Sequence, residues 1–554
     1  MNLPESSSVL KPLWGRRLAC GGLLIRPLSC TVLPVFLAAA LAQSALAQSV
    51  HLTVEPNHPI RPWSPIAAYF GYDEPNYTYA PNGAKLVGEL SAAFRDPVYI
   101  RTHFLLCTGD GTAGLKWGST NAYTEDASGR PVYNWTLIDR IFDTYLHAHA
   151  KPFVEIGFMP EALSTRPEPY RPTWIPGAAN RDYSIGWTYP PKDHAKWSEL
   201  IRQWVLHSVE KYGRAEVESW YWEVWNEPDI SYWHGTPEEY DRLYDATAAA
   251  VKAALPTARI GGPATTGPAS AKAAEYLRQF LEHCDRGNIP LDFVTYHAKG
   301  RTRVADGHLG LDLAKHTADV ETGYKIVASF PRYRNLPIIL SESDPEGCAA
   351  CSARVYPQNA YRNGPLYASF TAAALKNILD LAATHGVNIH GMLTWAFEFE
   401  NQPYFEGFRT LATNGVDKPI LNLFRMLGQM QGDRIPVTTT SPGVDALAVR
   451  SDREISVLVW NYADADVPVP DAEVQLTLPA IRYLMRHYRI DDTHSNAFTA
   501  WQQLGSPLHP APEQSTALES AGQLQLLESP HWLTTGDIRF SLPRRAVSLI
   551  QLTW

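Results

Sequence analysis

Between about residues 66 and 433 the chain repeats one pattern of apolar and polar positions. A short apolar run ending in polar or aromatic residues is followed by a stretch whose apolar positions fall at steps of three and four. The runs are Ile66 to Phe70, Val98 to Phe104, Phe153 to Phe158, Trp222 to Trp225, Ile260 to Pro263, Phe293 to His297, Ile338 to Glu342 and Gly391 to Phe397. Between them, Leu137, Ile138, Ile141, Phe142, Tyr145 and Leu146 carry helical spacing, as do Trp197, Leu200, Ile201, Trp204 and Val205. Strands alternating with amphipathic helices predict a parallel sheet. Eight such units over residues 66–433 fit a closed (β/α)8 TIM barrel better than an open doubly wound sheet, and no G-x-G-x-x-G follows the first run.

From about residue 434 the helical period stops. Ala446 to Val449, Ile455 to Trp460, Val474 to Leu478 and Val547 to Leu552 alternate or run short between Pro- and Asp-rich turns, which predicts an accessory antiparallel β-sandwich over residues 434–554. Near the other end, Val50-His51-Leu52-Thr53-Val54 alternates like a strand before Pro56, Pro59, Pro62 and Pro65 break the pattern. With no partner ahead of the barrel, residues 48–65 are expected to join the sandwich. Ser506 to Ser520 reads as an irregular excursion.

Residues 1–47 have a different character. A basic lead (Lys11, Arg16, Arg17, Arg26) precedes the apolar run Thr31 to Ala42, and Ala45-Leu46-Ala47 supplies small residues for cleavage. This predicts a signal peptide, a mature chain starting near Gln48 and a periplasmic or secreted protein. No later run is long enough for a membrane span, so no membrane association is expected after cleavage. The net charge of −9 argues against a nucleic-acid partner, which would call for a basic domain. The 17 Trp and 27 Tyr exceed what a core requires, and aromatic faces at a cleft stack on sugar rings. Four cysteines remain after the leader. Of these, Cys348-Ala349-Ala350-Cys351 could staple its own loop, form half of a zinc site or act as a redox pair.

Chemistry concentrates at two strand ends. In Tyr221 to Asp229 an aromatic run closes on Asn226-Glu227-Pro228, and Leu336 to Pro345 places Glu342 in the same way. In a parallel barrel all strand C-termini open on one face, so the carboxylates of the fourth and seventh strands can meet across the mouth. Glycoside hydrolysis needs such a pair, one protonating the leaving oxygen and the other attacking the anomeric carbon. Taken singly, each could be a salt-bridged rim residue. Tyr232, Trp233, Trp395 and Phe397 are candidate pocket walls, though single aromatics commonly belong to the core. The run Gly109-Asp110-Gly111 reads as a turn. No metal and no cofactor are expected.

Trp225-Asn226-Glu227-Pro228, Phe153 to Leu163 (Phe-Val-Glu-Ile-Gly-Phe-Met-Pro-Glu-Ala-Leu) and Tyr133-Asn134-Trp135 resemble glycoside hydrolase family 39, the family of β-xylosidases and α-L-iduronidases. The resemblance spans nearly the whole mature chain. It implies an exo-acting glycosidase with an oligosaccharide as partner, Glu227 as acid/base, Glu342 as nucleophile and Asn226 on the sugar 2-hydroxyl. It also puts His103 and His297 at the barrel mouth, where each could bind sugar or be a satisfied core histidine. His297-Ala298-Lys299-Gly300, Glu342-Ser343-Asp344-Pro345 with Gly347, and Arg409 look like the α-L-iduronidase branch, in which Lys299, Arg409 and the Gly347 backbone would hold a substrate carboxylate. Alternatively Lys299 and Arg409 pair with Asp344 or Glu406 and touch no ligand. The Phe153 to Leu163 stretch and the leader look closer to enzymes of plant polysaccharides, so β-xylosidase stands first and an acidic-sugar glycosidase second. A carbohydrate-binding protein without turnover is the third reading, but its expected mark, a missing carboxylate, is absent.

Overall fold

The computed structural model describes residues 48–171, 185–395 and 397–554, all within one compact unit. The predicted leader lies outside the described residues. Eight strands form the barrel: β1 Tyr69–Tyr72, β2 Tyr99–Thr102, β3 Lys151–Ile156, β4 Tyr221–Val224, β5 Arg259–Thr265, β6 Phe293–Lys299, β7 Pro337–Asp344 and β8 Asn388–Trp395. Each pairs in parallel with its neighbours in chain order, and β8 returns to β1, so the sheet closes. The first strand starts at Tyr69 rather than Ile66; residues 66 and 67 turn on a hydrogen bond from the Ala68 amide to Pro65.

Side chains facing the barrel axis fall into layers. Tyr69, Phe153, Tyr221, Phe293, Ile339 and Leu393 fill the lower half, with half-buried Tyr99 packed against them. Their rings meet closely: Tyr69 stacks on Tyr99 at 5.0 Å and Tyr221 meets Phe293 edge-on at 5.0 Å. Two residues further along the strands the period of two brings Arg101, Glu155 and Glu223 onto the same axis, all fully buried. The floor is therefore aromatic and the layer above it charged.

The sandwich has a four-stranded sheet, ordered Val437–Thr439, Gln48–Val54, Ala472–Thr477, Asp537–Leu542, and a larger sheet built around Val444–Arg450, Glu454–Asn461, Val547–Thr553 and Tyr483–Ile490. Pairing within the two sheets is antiparallel except between Gln48–Val54 and Ala472–Thr477, which run parallel. The larger sheet is buried on both faces. Ala446, Ala448, Val457 and Val459 face the first sheet, whereas Leu447, Val449, Leu458 and Trp460 belong to the core shared with the barrel helices. That accounts for continuous apolar runs where a half-exposed sheet would alternate. Residues 506–520 are not irregular throughout: Pro512–Gly522 is a helix with proline at its first turn, where a missing amide costs nothing. No helix among the described residues is long and apolar enough to cross a membrane.

Candidate active site

Arg101 is the hub of the charged layer. Its Nε lies 2.5 Å from Glu223 Oε2, its Nη2 3.0 Å from both Glu155 Oε2 and Asn226 Oδ1, and its Nη1 3.4 Å from Glu342 Oε1. Burial alone would weaken its charge, but the Glu223, Glu155 and Glu342 carboxylates hold its pKa above the ordinary arginine value. Glu155, by contrast, is pushed up, chiefly by burial. A buried charge network of this kind is stable only while complete, because removing one partner leaves the others unpaired in a low dielectric.

Glu342 reaches the barrel axis through a bulge. On β6, consecutive Tyr296 and His297 pair with Leu340 and Glu342, so β7 carries one extra residue, Ser341, at that point. Without it the strand's alternation, counted from inward-facing Ile339, would turn Glu342 outward; with it Glu342 shares the face of His297. Lys299 Nζ sits 2.6 Å from Glu342 Oε2, and His297 Nδ1 and His103 Nε2 lie 3.8 and 3.7 Å from its two oxygens. Burial pushes the Glu342 carboxyl up, but His297, Lys299, Arg101 and His103 together hold it well below the ordinary glutamate range. Glu342 is an ionised carboxylate at working pH.

Glu227 arrives through a contorted turn after β4. Trp225 and Glu227 have φ of 71° and 44°, a region that costs non-glycine residues on the order of 1–2 kcal/mol each. Two backbone bonds hold the turn: the Trp225 amide donates to Ile156 O at 3.1 Å and the Glu227 amide to Ala264 O at 2.9 Å. Glu227 Oε1 then lies 2.9 Å from His297 Nδ1. One oxygen of Glu227, one of Glu342 and a His297 ring nitrogen all fall within 4.8 Å of one another. This trio could embrace a cation, but the Lys299 ammonium already supplies positive charge against Glu342.

The other candidates divide by what they touch. Asn226 gives its Oδ1 to Arg101, which leaves its amide nitrogen without a protein partner among the described residues. Tyr232 and Gly347 line the cleft of about 460 Å³ that opens beside Glu227, together with Lys116, Ile230, Ser231, Glu346 and Cys348. A Cβ on Gly347 would meet open space. His103 is occupied by protein, with Nδ1 2.8 Å from Asp73 Oδ1 and Nε2 2.9 Å from Glu155 Oε2, so it supports the carboxylates rather than presenting a free nitrogen to sugar. His297 is fully buried against Glu227. Lys299 also lies 2.6 Å from Asp344 Oδ2, and Arg409 lies 3.5 Å from the same oxygen; Glu406 pairs instead with Arg354.

The remaining aromatic candidates lie away from the cleft wall that Tyr232 lines. Trp233 is packed between Trp225 and Tyr240, its indole N–H donating to Thr236 O, and Phe397 stacks on Tyr72; both are core. Trp395 lies 4.5 Å from the His103 ring and under Arg101, closing the floor of the charged layer. The disulfide Cys348–Cys351 forms in the loop after β7. Sequence reasoning missed Arg101, Glu155, Glu223, Asp73, Lys116 and Glu346. For the first three a signal existed: a charge inside an apolar run of a parallel strand has no solvent face to reach.

A barrel with two carboxylates from β4 and β7 facing each other beside an open cleft defines a glycoside hydrolase. Comparison with known proteins agrees. The chain matches glycosyl hydrolases family 39 over residues 95–538 and belongs to that family. It is 29% identical over 479 residues to a β-xylosidase of Geobacillus stearothermophilus, covering 82% of this chain and 86% of that protein. It is 24% identical over 387 residues to the α-L-iduronidase of Homo sapiens, covering 59% of this chain and 55% of that one. Among solved structures, a monomeric β-xylosidase from Caulobacter crescentus CB15 shares the fold with a TM-score of 0.72 at 23% identity, covering 92% of this chain and 99% of that one.

Proposed function

We propose that the protein is a retaining, exo-acting β-xylosidase that removes terminal β-D-xylosyl residues from xylo-oligosaccharides or related plant glycans. Glu342 attacks the anomeric carbon while Glu227 gives its proton to the departing glycosidic oxygen. In the second step Glu227 takes a proton from water, the water oxygen bonds to the anomeric carbon, and the bond to Glu342 breaks. The observation that carries the reading is the approach of the two carboxylates, with oxygens within 4.8 Å and Glu342 held ionised. Retaining pairs stand about 5 Å apart, and inverting pairs need roughly 6.5–9.5 Å to admit water. The unpaired Asn226 amide suits the sugar 2-hydroxyl. The β-xylosidase relative covers most of both chains, which favours xylose as the sugar. The expected leader over residues 1–47 would deliver the enzyme to the periplasm or beyond.

An acidic-sugar glycosidase is the second reading, favoured by the gathering of Lys299, Arg409 and Gly347 near the cleft. It ranks below because Lys299 and Arg409 already have carboxylate partners. The test is a panel of aryl β-xyloside, α-arabinoside, β-glucoside and α-iduronide, with the anomer of the first-formed product read by NMR. Preferred hydrolysis of the xyloside with a β-product is expected; an α-product would overturn the retaining mechanism, and preference for another glycoside would overturn the sugar.

A further inference from the structure

Glu346 is a buried carboxylate on the wall of the cleft, and neither pairing of Glu227 with Glu342 nor sugar hydroxyl recognition uses it. Its Oε1 lies 2.6 Å from Arg362 Nη2 and 3.6 Å from Arg409 Nη1 and accepts from Tyr361 Oη at 3.2 Å; its Oε2 accepts from the Cys348 amide at 2.7 Å. Arg409 Nη1 also donates to the Glu346 carbonyl oxygen. Burial pushes the carboxyl up, but Arg362 and Arg409 bring it down to about 2, so it is charged at any working pH. Yet it lines the same cleft as Glu227 and Gly347.

Among the described residues, the cations gathered near the cleft face carboxylates. Lys299 stands between Glu342 and Asp344, Arg409 and Arg362 on Glu346, Lys116 on Asp73, and Arg101 on Glu155 and Glu223. Among these described residues no cation is left over for a substrate carboxylate, and one arriving beside Gly347 would meet Glu346 already seated on the arginines.

We propose that Glu346 is the specificity-determining residue that excludes acidic sugars: its carboxylate already engages Arg409, together with Arg362, and repels the uronide's charge. The inference rests on the active site lying at this cleft and deepens the preference for a neutral sugar without depending on that sugar being xylose. Like charges about 5 Å apart in partly solvated surroundings disfavour binding by about tenfold or more.

The experiment measures kcat/KM for a neutral aryl glycoside, whichever of the panel is turned over, and for an aryl uronide, in wild type and Glu346→Gln. The amide keeps the shape and, through its oxygen, the bond from the Cys348 amide, while its NH2 can only donate to the Tyr361 hydroxyl; it removes the charge and releases Arg362 and Arg409. The uronide-to-neutral ratio is expected to rise by about tenfold or more; a ratio within twofold of wild type, or a wild type that already prefers the uronide, overturns the proposal. If the xyloside is inert while another neutral glycoside is hydrolysed, the assignment of xylose fails and the role of Glu346 is still decided by the ratio. Should the variant not fold, inhibition of wild type by D-glucuronate at rising ionic strength decides: repulsion predicts tighter inhibition as salt screens it, and weaker inhibition overturns the proposal.

Discussion

Replacing Lys299 by Met is the sharpest test of how the nucleophile is kept ionised. The ammonium lies 2.6 Å from Glu342 Oε2 and 2.6 Å from Asp344 Oδ2, nearly enclosed by protein. Opposite charges at such range shift a carboxylate by about 1–3 pKa units, each unit being about 1.4 kcal/mol of preference for the ionised form. Glu342 is active only when ionised, so activity falls on the acid side as pH drops through its pKa. Removing the cation raises that pKa, and the acid limb of the kcat/KM profile moves to higher pH by about 1–3 units. His297, Arg101 and His103 remain near the carboxylate and limit the shift. The assay is a pH–rate profile on a neutral aryl glycoside for wild type, Lys299→Met and Lys299→Arg. The arginine variant keeps the charge, and its acid limb stays near the wild-type position. A methionine variant with an unmoved limb and undiminished turnover of a neutral substrate would refute the reasoning and return Lys299 to the substrate side.

Glu342→Ala should abolish turnover of every glycoside, whereas Glu227→Ala should retain activity on substrates with good leaving groups and gain rate with azide; equal behaviour of the two variants on activated substrates would reverse or void the assignment. Glu346, with a folded pKa of about 2 against an ordinary 4.5, contributes on the order of 3 kcal/mol of stability that is present above pH 4.5 and lost as pH falls towards 2. Glu346→Gln should therefore destabilise the protein at neutral pH, and denaturant melts of the two proteins should converge near pH 2. Breaking the Cys348–Cys351 bond, by reductant or by paired serines, should cost about 2 kcal/mol for so short a loop, read as a lowered thermal midpoint.

The barrel was legible because each strand is apolar enough to stand out and each helix keeps its spacing. Glu227 and Glu342 were legible because each falls at the end of such a run, just ahead of a proline. Their supports carried a signal but no partner. Arg101 reads as an interruption in Val98 to Phe104 until Glu155 and Glu223 are known to meet it in space. The bulge at Ser341 leaves no local mark, since serine fits either face; only the register against β6 reveals it. Trp233 and Phe397 show the opposite failure, because an aromatic side chain near a strand end does not declare whether it faces the cleft or the core. The helix Pro512–Gly522 escaped because it buries only Leu518 and Gly522, too little for a periodic apolar stripe.

The parallel pairing of Gln48–Val54 with Ala472–Thr477 ties the start of the described chain to its last quarter. On the ribosome this strand emerges long before its two partners at 437–439 and 472–477, and all eight barrel strands are synthesised in between. An early strand whose buried positions are Val50, Leu52 and Val54 waits with both edges unpaired, and such edges pair with whatever other chain is near. The polar residues that alternate with them, Ser49, His51 and Thr53, keep one face compatible with water during that wait. The first strand therefore finds its two neighbours only once residues 437–477 have been made.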